Sequence, residues 1–211
     1  MKKRDFILLC VLGFSLAMLI ASCSVKPDNL IAIGSKNSTE QLILGELLAQ
    51  NIEANTDLKV ERKLNLGDTF VCHDALTNGE IDAYVEYTAT AFSAILKNEP
   101  ISNPEEVYQL VKQKYQQNFL VAGNSTDGKI GRSDLAVLKD DRLFFPPYQV
   151  VPIVRQQTLQ KHPELREVFQ QLSGKISEPE MQRLNFQVEG ESRDVKQVVQ
   201  QFLQTKGLKK N

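Results

Sequence analysis

The feature that most constrains this chain is the alternation of two hydrophobic periods through residues 30–90. Leu30, Ile31, Ala32 and Ile33 make a continuous apolar run ending at Gly34, as a buried strand does. Ser38 and Gln41 then stand at capping-box spacing, and Leu44, Leu47, Leu48 and Ile52 recur at helical intervals to about Ala54. In residues 58–66 the period drops toward two, with Val60, Leu64 and Leu66 set against Glu61, Arg62 and Lys63. Gly67, Asp68 and Thr69 turn the chain into a short helix through Leu76, and Asn78 with Gly79 turns it back into a strand carrying Ile81, Ala83 and Val85. The order βαβαβα predicts an α/β fold with a mixed, mainly parallel sheet flanked by helices. In such sheets ligands gather at the carboxyl ends of strands. Here those ends are the loops at Lys36, at residues 67–69 and at residues 87–90.

The third of these strands, in GEIDAYVEYTAT (residues 79–90), delivers Glu86, Tyr87, Thr88 and Thr90 to the start of the next helix. An electron-rich tyrosine face beside threonine hydroxyls and helix N-terminal N–H groups can hold a ligand with a cationic and an anionic end. That is binding chemistry, not catalysis. A tyrosine at such a turn can equally be half-buried packing.

Further along, Asn103, Pro104, Glu105 and Glu106 signal a helix start, with Val107, Leu110, Val111 and Tyr115 as its stripe. Past Phe119 the pattern weakens into the turn-rich residues 123–128, which reads as a junction. Residues 134–138 lead to an extended run at 150–155, where Pro152 argues for an edge or interdomain position because a central strand would need its N–H. Three helices close the chain. Pro163 opens one with Leu165, Val168, Phe169 and Leu172; Ser177 and Glu180 cap a second with Met181 and Leu184; Val195, Val198, Val199 and Phe202 stripe the third.

The start of the chain reads as an export signal. Lys2, Lys3 and Arg4 precede an apolar run at residues 6–20 that is short for a membrane span, and Ile20, Ala21, Ser22 and Cys23 resemble the lipobox of bacterial lipoproteins. On that reading residues 1–22 are a lipoprotein signal peptide, Cys23 carries lipid, residues 23–29 are a tether, and the protein is exported and membrane-anchored. An ordinary cleaved signal with a chance cysteine is the alternative. Removing Lys2, Lys3, Arg4 and Asp5 from 25 basic and 26 acidic residues leaves 22 and 25, a net charge near −3 that does not recommend nucleic acid as a partner. With Cys10 in the signal and Cys23 on lipid, Cys72 stands alone and reads as a small buried hydrophobe.

Catalysis needs a base, a nucleophile or a metal held in place. His73 and His162 are the only histidines and neither has ligands at zinc spacings, so no metal or cofactor is expected. Walker, G-x-S-x-G and G-x-G-x-x-G signatures are missing too, and the chain is not expected to be an enzyme.

The motifs GSKNSTEQLILGELLAQ (residues 34–50), Asn65-Leu66-Gly67-x-Thr69, GEIDAYVEYTAT, STDGKI, DLAVLKDD, FPPYQVVPIVR and SEPEMQRLN together resemble the substrate-binding protein of osmoprotectant ABC importers. The resemblance implies one lobe of a type II periplasmic-binding-protein (flytrap) fold, and a ligand drawn from glycine betaine, choline and carnitine. It also implies a membrane permease and an ATPase as partners. Carried over by position, Tyr87 and Tyr148 match tyrosines that cage the quaternary ammonium, while Lys36 and Thr90 match residues that meet the ligand's polar end. The departures are large. Residues 119–124 run directly into STDG where the family has a second lobe, so residues 30–118 and 125–211 are expected to form a single lobe. Asn124 replaces a tyrosine, Ser38 an aromatic residue, and Asp68 and Ala89 glycines. Losing cage tyrosines at roughly 0.5 to 2 kcal/mol each and an arginine contact at roughly 1.5 to 3 kcal/mol predicts weakened binding. A non-transporting modulator lipoprotein, a self-complementing pair of chains, and a remnant of a full-length binding protein are the alternatives.

Overall fold

The computed structural model describes residues 27–121, 135–137 and 150–209. Cys23, Tyr148 and residues 122–124 of the expected junction lie outside them. The elements follow the expected order: β1 (Leu30–Lys36), α1 (Thr39–Asn55), β2 (Lys59–Gly67), α2 (Thr69–Thr77), β3 (Ala83–Tyr87) and α3 (Thr88–Thr90), which runs into a π-helical turn at Ala91–Ile95. Then come α4 (Pro104–Val121), β4 (Leu135–Val137), β5 (Val150–Arg155), α5 (Gln156–Lys161), α6 (Leu165–Gln170), α7 (Glu178–Glu189) and α8 (Val195–Thr205). Described residues from Ile31 onward form one compact unit.

The sheet order is β2-β1-β3-β5-β4. β1 and β3 are parallel with Ile33 opposite Ala83, β5 is antiparallel to β3, and β4 is antiparallel to β5. The Asn65 N–H donates to Ser35 Oγ (3.0 Å) and the Asn37 N–H to Gly67 O (3.0 Å), so β2 advances alongside β1 in the same direction. Among the described strands β5 alone is reversed. The sheet is therefore mixed and mostly parallel in direction, and helices pack on it.

Strand alternation divides the core in two. Ile31, Ile33, Ala83, Val85, Val150 and Val154 join a cluster with α1 and the closing helices. Ile81, Tyr84, Val151 and Ile153 join another with Cys72, Leu76, Phe92, Val107, Tyr108 and Tyr115. Asp82 locks the centre: its carboxylate accepts from the Ala32 N–H (2.7 Å) and from Thr158 Oγ (2.9 Å), tying β1, β3 and α5 together. The turn at Asn78 and Gly79 forms as expected, with Gly79 at φ 80°, a left-handed value that side chains disfavour.

Four expectations change. Pro152 is in neither an edge strand nor an interdomain segment, because β5 lies between β3 and β4. The Arg155 N–H faces β3, donating to Asp82 O (2.9 Å), so by alternation residue 152 directs its missing N–H to the β4 side. There the described pairing runs to Val137 opposite Ile153, so among the described residues Pro152 forfeits no ladder bond. The Ser38–Gln41 capping box does not form: Ser38 occupies the N-cap position without a side-chain bond, and Gln41 is buried at 1% exposure. α1 is buried all round from Ile43 to Ile52 and not only at Leu44, Leu47, Leu48 and Ile52, its polar Glu46, Gln50 and Asn51 included. Each has a partner. Glu46 accepts from Arg62 (2.8 Å), Gln50 donates to Lys196 O (2.8 Å), and Asn51 donates to Val168 O (2.6 Å). Finally, residues 156–161 form the unforeseen α5, and the helix expected from Pro163 begins at Leu165.

Candidate functional site

Lys36, the last residue of β1, is where the three expected loops converge. Its ammonium donates to Glu86 Oε1 at 2.5 Å, reaches Thr69 Oγ at 3.4 Å, and lies 4.7 Å from the centroid of the Tyr87 ring. The parallel register explains the pairing. With Ile33 opposite Ala83, equal steps along both strands put Lys36 beside Glu86 on the same face of the sheet. Tyr87, one residue on, points to the other face and packs against the first cluster.

The burial of this pair is its main electrostatic property. The Glu86 side chain is 0% exposed and that of Lys36 11% exposed. A fully buried carboxylate is tolerated when a cation and hydrogen bonds accompany it. Lys36 supplies the cation, and the Tyr87 N–H donates to the same oxygen, Glu86 Oε1, at 2.8 Å. The Glu86 charge in turn reaches its neighbours. Burial, seconded by Glu86, pushes the phenols of Tyr84 and Tyr115 upward and lifts the Cys72 thiol to about 11. Cys72 is free and buried, the inert hydrophobe that the sequence suggested.

Tyr87 is held at its far end by α1, where its phenol donates to Glu40 Oε1. Burial raises its ionisation, and the Glu40 bond raises it further. The Gln41 side chain sits beside the same phenol but completes no hydrogen bond of good geometry. Asp68, which stands where the resembled family has glycine, caps α2 by accepting from the N–H groups of Phe70 (2.9 Å) and Val71 (3.1 Å). That cap presents Thr69 to Lys36.

The structure thus brings Lys36 and Tyr87 into contact. Thr90 follows them as the half-buried last residue of α3, its hydroxyl bonded to neither. Tyr148 and Cys23 lie outside the described residues. Sequence reasoning left three members unassigned: Glu86, Glu40 and Thr69. Glu86 carried a signal, one of two acidic residues, with Asp82, in the otherwise uncharged run 81–87, but it turns into the interior instead of reaching the helix start. Glu40 carried none. Among the described residues no group of three or more His, Cys, Asp or Glu is placed to hold a metal ion, and no helix is long and apolar enough to cross a membrane.

A site made of one aromatic face, one locked ion pair and hydroxyls at strand ends offers recognition and no reacting group. The family model described as the substrate binding domain of ABC-type glycine betaine transport system matches residues 29–122 and 100–205. The chain belongs to this family. Members of this substrate-binding family are solute binders and not enzymes. The chain is similar to the carnitine transport binding protein OpuCC of Listeria monocytogenes, at 27% identity over an alignment of 299 residues covering 97% of each chain. It is also similar to the ergothioneine transport permease/ergothioneine binding protein EgtU of Helicobacter pylori, at 26% identity over 98% of this chain and 54% of that one. Among solved structures, a glycine betaine/carnitine/choline ABC transporter protein aligns with TM-score 0.66 and 22% identity over 84% of this chain and 99% of that chain, a likeness of fold. The architecture is that of type II periplasmic binding proteins.

Proposed function

We propose that this chain is the solute-binding component of a quaternary-amine importer, taking glycine betaine, choline or carnitine, and that Lys36, Tyr87, Thr90 and Tyr148 form its half-site. The observation that carries this is the Lys36 ammonium 4.7 Å from the Tyr87 ring centroid, which supports reading that ring, at the carboxyl end of the parallel strands, as one that attracts cations. The names of the relatives point to the same ligand class, and the permease portion of EgtU supports a permease as partner.

On this reading the protein works as a single lobe, residues 30–118 and 125–211, tethered through lipid on Cys23. Two features support a missing segment: the alignment with OpuCC is longer than the 211 residues of this chain, and the family model matches in two pieces that overlap at residues 100–122. A lobe without its opposite wall leaves the ammonium partly in water, where a cation–π contact contributes roughly 0.5 to 1 kcal/mol instead of 2 or more. Binding in the millimolar range follows.

Calorimetric titration of residues 23–211 with glycine betaine and with choline tests this. The expected result is weak saturable heat for at least one of them, abolished by Tyr87→Ala. No heat at millimolar concentrations of either would sink the transport reading for the isolated chain and favour the modulator alternative.

A further inference from the structure

Resting on that proposed function, we propose that Glu40 is a positioning residue for amine recognition: it fixes the Tyr87 ring and supplies a negative charge, unpaired among the described residues, that draws a cation to it. Tyr87 is held at three points. Its N–H donates to Glu86 Oε1 (2.8 Å), its ring lies under the Lys36 ammonium (4.7 Å), and its phenol donates to Glu40 Oε1. The first two belong to a locked pair. Moving Lys36 away would strand a Glu86 carboxylate that is 0% exposed, so the lysine stays and its charge is spent.

The charge balance then singles out Glu40. The groups that face Tyr87 from the described elements are Lys36 from β1, Glu86 from β3, Thr69 by way of Lys36 from α2, and Glu40 and Gln41 from α1. Lys36 and Glu86 cancel, and Thr69 and Gln41 are neutral. Among the described residues no basic side chain pairs with Glu40, whose carboxylate is half-buried in the first turn of α1. Free N–H groups at that end of a helix favour an anion. Because α1 is buried from Ile43 to Ile52, the carboxylate sits on a rigid support.

The bond also acts through the ring. A phenol that donates to a carboxylate forms a charge-assisted hydrogen bond, and the displaced electron density enriches the π face that a cation meets. Glu40 therefore aids choline, whose only charge is cationic, more than glycine betaine, whose own carboxylate it repels.

The test is NMR of the chain carrying carbon-13-labelled tyrosine, with wild type, Glu40→Gln and Glu40→Ala compared at equal urea midpoints. Without ligand, the Tyr87 ring-carbon resonance should shift in both variants and its ionisation should move to lower pH. A Tyr87 signal unchanged in Glu40→Gln overturns the proposal. With ligand, the choline dissociation constant should rise about fivefold in Glu40→Gln and further in Glu40→Ala, while that for glycine betaine changes less. If wild type responds to choline and Glu40→Gln responds equally, the role of Glu40 is wrong and the amine reading stands. If the ligand-free shift is present and wild type responds to neither amine, the amine reading itself fails and takes the ligand role of Glu40 with it.

Discussion

Lys36 and Glu86 show how a residue's neighbours decide its meaning. A lysine after a strand and a glutamate between two tyrosines both read as surface or ligand groups, yet here they meet at 2.5 Å with the glutamate sealed from water. Removing one partner of such a pair typically costs about 3 to 5 kcal/mol, because the other remains charged and buried. Lys36→Met should therefore lose stability of about that size in urea unfolding. The double variant Lys36→Met/Glu86→Gln should recover much of it. A Lys36→Met chain as stable as wild type would show that the pair is dispensable to the fold. Tyr87 was legible as a binding candidate from its place after an apolar strand. Glu40 was not, because nothing in a helix's first turn announces which tyrosine from another element it will meet.

At the scale of elements, the same capping signature had opposite outcomes at two helices. At α7, Ser177 and Glu180 pair as a capping box, the Ser177 N–H and Oγ both donating to the Glu180 carboxylate at 2.8 Å. At α1, Ser38 holds the N-cap position but makes no side-chain bond, and Gln41 turns inward. Ser177→Ala should then cost about 1 kcal/mol in thermal or urea unfolding, and Ser38→Ala no more than about 0.5 kcal/mol. Glu180 adds a pH signature to α7. The Lys206 ammonium, aided by Ser177, holds its carboxyl at about 2 against an ordinary 4.5. A lowered folded value means that its contribution is present above about pH 4.5 and is lost as the pH falls toward 2. The stability gap between wild type and Glu180→Gln should close over that window, remaining small throughout because both side chains are partly in water. Helix α1 carries the other lesson. Its apolar positions announced a helix, but they gave no place to Glu46, Gln50 and Asn51, whose partners come from β2, α8 and α6.

Across the whole molecule, the pairing of β3 with β5 and the packing of α1 against the closing helices interlock residues far apart in sequence. Val198, Val199, Phe202 and Leu203 of α8 are all buried in the cluster that covers one face of the sheet. Full burial of each contributes roughly 1.5 to 3 kcal/mol, comparable in sum to the 5 to 15 kcal/mol that stabilises a typical domain. A chain ending at residue 118 should therefore show no cooperative thermal transition by far-ultraviolet circular dichroism. Residues 30–211 should melt in a single one.

The sequence by itself determined the alternation of strands and helices, the direction of the parallel strands, the three loops at their carboxyl ends and the family, because each is written in local periodicity or contiguous motifs. Only the tertiary structure decided which side chains share those loops. Register placed Lys36 against Glu86, the fold of α1 over the sheet brought Glu40 to Tyr87, and the closing helices buried polar residues that look exposed in sequence. The physical reason is that a period fixes which face a residue occupies, whereas its partner depends on register and packing between elements, which no single segment encodes.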